Sequence, residues 1–137
     1  MNTAFSIDLS PDAAEIERIN SELDTVGQAE DWPMAFDYNI RLVIEELFMN
    51  IVMHGAKNDK CEIELSLESY SEIVKITIID NGVAFNPLTD SSAPDLESDL
   101  SERAIGGLGV HLIRNLVDDI DYKRVSGRNS ISFSKRK

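Results

Sequence analysis

Residues 61–82 read CEIELSLESYSEIVKITIIDNG, and their alternation decides the fold. Cys61, Ile63, Leu65 and Leu67 alternate with Glu62, Glu64, Ser66 and Glu68, so one face of this segment is apolar and the other wet. Val74, Ile76 and Ile78 alternate with Lys75 and Thr77 before the chain reaches Asp80. The polar residues from Ser69 to Glu72 suit a turn, so the two segments read as an antiparallel hairpin. A sheet that is apolar on one face needs a second layer there.

That layer is found on both sides of the hairpin. Upstream, Ile40, Val43, Ile44, Leu47, Phe48, Ile51 and Val52 form a broad apolar face, predicting a helix from about Phe36 to His54 that Gly55 ends. Ser10-Pro11 is a suitable N-cap and first helical position for an earlier helix, with Ile16, Ile19, Leu23 and Val26 inward and Gly27 as its stop. Phe5, Ile7 and Leu9 suit a short first strand. Downstream, a short helix buries Val110, Ile113, Leu116 and Val117. Ile120, Tyr122 and Val125 then suggest a strand, Ser126 to Asn129 a turn, and Ile131 and Phe133 a last strand. The order predicts an α+β two-layer sandwich, a mixed and mainly antiparallel sheet covered on one face by helices. No repeat or second domain is visible, so residues 1–137 read as a single domain.

One stretch breaks the pattern. Leu88 to Arg103 holds Pro94, five acidic residues, four serines and one basic residue. A loop of this length inside a small domain reads as a mobile lid at about 88–105, with disordered filler as the alternative.

Composition narrows the function. The chain has 137 residues, of which 42% are hydrophobic, which suits one folded core. Its net charge of −12 repels phosphate backbones and anionic lipid, so direct nucleic-acid or membrane binding is not expected. That charge serves solubility or a basic protein partner. Met1 to Ser10 lacks a basic segment followed by an apolar one, no apolar run is long enough to span a bilayer, and Cys61 is the single cysteine. The expected location is cytoplasmic.

Three motifs carry chemistry. Glu46 and Asn50 are four residues apart and share one helix face, with His54 a further turn along. By itself this is also what a solvated helix face looks like. Asp80-Asn81-Gly82 follows an apolar strand. It is an ordinary turn sequence, or a carboxylate poised for an exocyclic amine beside a glycine that lets a flat base approach. Gly106-Gly107-Leu108-Gly109 enters a helix, where free amides and the positive end of the dipole favour phosphate. It does not fit the Walker pattern.

The order of these motifs is similar to the Bergerat ATP-binding fold of the histidine-kinase-like ATPase superfamily. Within it the chain most resembles the anti-sigma-factor serine kinases, through EELFMNIVMHG (45–55), IIDNGVAFNP (78–87) and GGLGVHLIRNLVDDIDY (106–122). The resemblance implies that Asn50 holds Mg²⁺ bridging the phosphates of ATP and that Glu46 is the general base. It implies that Asp80 bonds the adenine amine, that Gly82 makes room for the ring, and that Gly106, Gly107 and Gly109 wrap the phosphates. Ser130, or its neighbour Asn129, matches a position that supports the adenine-binding aspartate. Arg103, at the end of the lid, is a further candidate phosphate contact, and His54 either packs locally or touches ATP.

Ala84 stands where the histidine-kinase branch usually has glycine, and neither His54 nor His111 lies where a phosphoacceptor would. The resemblance therefore implies a serine kinase that phosphorylates a small antagonist protein and sequesters a partner such as a sigma factor. Members of the family often form homodimers, which makes a homodimer a candidate state for this chain. The alternative is a non-catalytic ATP- or ADP-binding switch module.

Overall fold

The computed structural model describes residues 2–56, 60–89 and 107–137. Five strands of the described residues form one sheet: β1 (Thr3–Leu9), β2 (Ile63–Ser69), β3 (Ile73–Asp80), β4 (Asp119–Val125) and β5 (Arg128–Arg136). Their order across the sheet is β1-β2-β3-β5-β4. The sheet expected to be mixed and mainly antiparallel is antiparallel at every pairing between these strands. Three α-helices among the described residues pack against it, α1 (Ile16–Glu30), α2 (Met34–Asn50) and α3 (Gly107–Leu116).

The register explains how the sheet takes its cover. Phe5, Leu67, Ile76, Phe133 and Ile120 pair in one inward row across the strands. Ile7, Leu65, Ile78, Ile131 and Tyr122 form the next. Leu23, Ile40, Val43, Ile44, Leu47, Phe48 and Ile113 from the helices are essentially fully buried over them. Each such side chain contributes about 1.5–3 kcal/mol when removed from water, so this interface dominates stability. A third inward row runs Leu9, Ile63, Asp80, Asn129, Arg124. It begins apolar and turns polar across β3, β5 and β4.

Two helix boundaries differ from the sequence expectation. Ser10-Pro11 does not start α1. A short 3₁₀ turn at Ala13–Glu15 precedes it, and Asp12 caps that turn by accepting from the Ala14 amide at 2.9 Å. Gly27 does not stop α1, which continues to Glu30 and ends on Asp31 in the left-handed region, φ 55°. A Cβ at Gly27 would lie 3.2 Å from Asp37 Oδ1 and 3.4 Å from the Trp32 ring, so glycine there makes space for the neighbouring connection.

The α2 prediction holds, with one refinement. Its last turn, Ile51–Gly55, is π-helical, closed by the Ala56 amide donating to the Ile51 carbonyl at 2.8 Å. Such wide turns are frequent at functional sites. Most of the expected lid, with Arg103 and Gly106, lies outside the described residues. Among the described residues no helix is long and apolar enough to cross a membrane.

Candidate functional site

The π-helical turn sets the site's geometry. It presents the Gly55 carbonyl to the loop after β3, where the Val83 amide donates to it at 2.9 Å. A Cβ at Gly82 would collide with that same carbonyl, so only glycine lets the two backbones meet. The turn and the Asp-Asn-Gly loop are thereby locked together.

Asp80 ends β3 and is 4% exposed. Its Oδ1 accepts from the Gly82 amide at 2.9 Å and from Asn129 Nδ2 at 3.0 Å. A buried polar group needs such partners to offset its loss of water. Asn129 is equally buried, and its amide is used at both ends. Nδ2 also donates to the Val83 carbonyl at 2.7 Å. Oδ1 accepts from the Tyr122 hydroxyl at 2.5 Å and from Arg124 Nη1 at 3.0 Å. Arginine is an obligate donor, so this partner fixes which end of the Asn129 amide is oxygen.

Beside Asp80 lies a narrow pocket. Its walls include Leu47, Ile51, Phe85 and Ile131, and its polar groups come from Asn50, Asp80, Tyr122 and Asn129. Apolar walls with a few converging polar groups suit a flat aromatic ligand. A larger cleft is lined by Asp8, Glu62, Glu64, Asp80, Asn81 and Arg128. It reaches Asp80, and its lining includes none of Glu46, Asn50, Gly82 or Gly109.

Asn50 faces the pocket from α2 and is 3% exposed. Its Nδ2 donates to the Glu46 carbonyl one turn back at 2.8 Å, which leaves Oδ1 as its other polar end. Glu46 is half-buried, and its carboxyl is pushed above the ordinary range, first by desolvation and then by the charge of Glu45. Its carboxylate occupies the place a Cβ on Gly109 would take. The glycine near the start of α3 thus lets this helix close on Glu46.

Of the residues singled out from sequence, Glu46, Asn50, Asp80, Gly82 and Gly109 are placed around this one end of α2. Gly107 is the first residue of α3. Ser130 is not among the Asp80 neighbours. It pairs with Ile79 and Lys123 on the other face of β5, and Asn129 makes the contact instead. His54 stacks on Phe85, with ring centroids 5.3 Å apart. Tyr122 and Arg124 were not singled out from sequence as site residues. The signal that reveals them is register, because the Ser126-Gly127 turn sets Arg124 opposite Asn129.

Comparison with known proteins identifies the family. Residues 9–135 match the histidine kinase-like ATPase domain, and the chain belongs to that family. More particularly, it is similar to the serine-protein kinase RsbW of Bacillus mycoides, 33% identical over 110 residues, which cover 77% of this chain and 69% of that protein. It is also similar to the serine/threonine-protein kinase BtrW of Bordetella bronchiseptica, 27% identical over 113 residues, covering 82% and 79%. Among solved structures, the histidine kinase domain of the Erythrobacter litoralis EL346 blue-light activated histidine kinase has the same fold. The TM-score is 0.53 at 15% identity, over 90% of this chain and 59% of that one.

Proposed function

We propose that this chain binds ATP against Asp80 and transfers the γ-phosphate to a serine on a small antagonist protein. The observation that carries the reading is the convergence of Glu46, Asn50, Asp80, Gly82 and Gly109 at one end of α2, with Asn50 and Asp80 lining a pocket with apolar walls. The named relatives, both serine or serine/threonine kinases, support the same class of reaction.

Each residue has a distinct task. Both hydrogen bonds to Asp80 among the described residues fall on Oδ1, so Oδ2 is the oxygen to accept from the adenine amine. Asn50 would hold Mg²⁺ through Oδ1, a neutral hard ligand, since Nδ2 is engaged by the Glu46 carbonyl. Bound Mg²⁺ supplies charge neutralisation for the phosphates. The described residues contain no cluster of three His, Cys, Asp or Glu side chains that could form a competing metal site. The N-terminal amides of α3 face phosphate with the favourable end of its dipole. Glu46 takes the proton from the attacking serine hydroxyl. A carboxyl with a raised pKa is a better base near neutral pH than an ordinary one.

The partner chemistry follows from charge. Phosphorylation adds about −2 to the antagonist, and this chain carries −12. The product is repelled, which frees the kinase to sequester its other partner, a sigma factor in the family it resembles. Equal affinity for phosphorylated and unphosphorylated antagonist would contradict this step.

The test is transfer of label from γ-labelled ATP to small proteins that co-purify with the chain. Wild type transfers label. Glu46→Ala binds ATP and does not transfer it. If neither protein transfers label while both bind ATP, the chain is a nucleotide-binding switch instead.

A further inference from the structure

We propose that Arg124 is a positioning residue that sets the site's preference for an amino purine over an oxo purine. The inference rests on ATP binding at Asp80 and adds to it the residue that fixes how Asp80 presents itself.

Two donors hold the Asp80 carboxylate, the Gly82 amide and Asn129 Nδ2, both on Oδ1. Arg124 holds both residues that supply them. Its Nη1 donates to the Gly82 carbonyl at 3.1 Å and to Asn129 Oδ1 at 3.0 Å. Its Nη2 donates to the Gly127 carbonyl at 3.3 Å, which anchors the guanidinium to the β4–β5 turn. The side chain is exposed on an edge strand, where a charge often serves only to block edge pairing. Three hydrogen bonds to residues of the Asp80 row and its adjoining loops are more than that role requires.

The consequence concerns rotation. A carboxylate can swap its oxygens by turning about its last bond. With Oδ1 fixed between two donors that turn is unfavourable, and Oδ2 is left to face the base as an acceptor. It complements the amine at position 6 of adenine and opposes a carbonyl there. Loosening Gly82 and Asn129 relaxes that demand. Tyr122 and the Phe85 amide, at 3.4 Å from Asn129 Oδ1, keep only part of the hold.

The experiment compares binding of ATP and inosine triphosphate, which differ at position 6 and in the proton on N1, in wild type, Arg124→Met and Arg124→Lys. Wild type prefers ATP. Arg124→Met loses about tenfold in ATP affinity and less in inosine triphosphate affinity, so the preference shrinks at least about threefold. Arg124→Lys, which retains one point donor, falls between them. If Arg124→Met is too unstable to titrate, the reduced preference of Arg124→Lys decides the matter. An unchanged preference, or equal losses for both nucleotides, overturns the proposal and leaves Arg124 a structural brace. A wild type that binds neither nucleotide contradicts the ATP site itself, a result distinct from either.

Discussion

The carboxylate of Glu46 fills the space that a side chain on Gly109 would need. A candidate base on α2 and a glycine at the start of α3 are therefore two halves of one contact. Gly109→Ala should displace the carboxylate, because the atom in the way is the free end of a flexible side chain. Phosphotransfer should fall by about tenfold or more while ATP affinity changes by less than about threefold. The same substitution in a Glu46→Ala background should show a much smaller shift in Tm. A double-mutant cycle by thermal unfolding measures the coupling, and additive shifts would remove the contact.

Glu46 also predicts a trade of stability for activity. Its folded pKa is raised above the ordinary 4.5 by desolvation and by Glu45. Stability from this group is complete below 4.5 and is lost as pH rises through the raised value. Above the raised value the charged side chain opposes folding. Glu46→Gln should raise Tm by a few degrees near neutrality, with the gap closing in acid, and should reduce phosphotransfer by about a hundredfold. A variant less stable at neutral pH would contradict this electrostatic account.

Gly82 has no such freedom. The obstacle to a Cβ there is the backbone carbonyl of Gly55, which also accepts from Val83. Gly82→Ala must separate the π-helical turn from the loop after Asp80. We expect a loss of about 2–4 kcal/mol in denaturant unfolding together with loss of ATP binding. Native stability in this variant would show that the two backbones are not locked.

At the opposite end of the sheet, Glu30 behaves differently. Burial alone would raise its pKa, but hydrogen bonds from Lys137, Ser69, Thr3 and Trp32 outweigh burial and hold it at about 2. A lowered carboxyl stabilises the fold above 4.5 and loses that contribution as pH falls towards 2. Glu30→Gln should cost on the order of 2 kcal/mol at pH 7. The gap from wild type should narrow through that acid window. A gap independent of pH would assign the effect to shape rather than charge.

The layers of this fold were legible because their periodicities are strong. The alternation in β2 and β3 and the broad apolar face of α2 leave one arrangement, helices over one face of an antiparallel sheet. Gly27 misled because its reason is tertiary, the space needed by Trp32 and Asp37, and a glycine at helix spacing also looks like a stop. Ser10-Pro11 misled because Asp12 competes for the cap two residues later. In the candidate site, residues on helices and in the glycine loop could be proposed from motif order. The support for Asp80 could be narrowed only to Ser130 or its neighbour Asn129, because neighbouring residues of a strand face opposite sides and motif order does not say which faces in. Ser130 and Asn129 differ by one position and by a whole face of the sheet. Arg124 and Tyr122 carry no local motif, and only the pairing of β4 with β5 brings them to Asn129.

The central claim is that Asp80 accepts from adenine in an ATP site. Asp80→Asn keeps the side chain's shape, and its amide oxygen still accepts from Gly82 and Asn129. It replaces the other oxygen with a donor. Calorimetric titration with MgATP measures the effect directly. The account predicts that wild type binds, and that Asp80→Asn binds at least about tenfold more weakly with its thermal unfolding little changed. Equal MgATP affinity in the two proteins would contradict it.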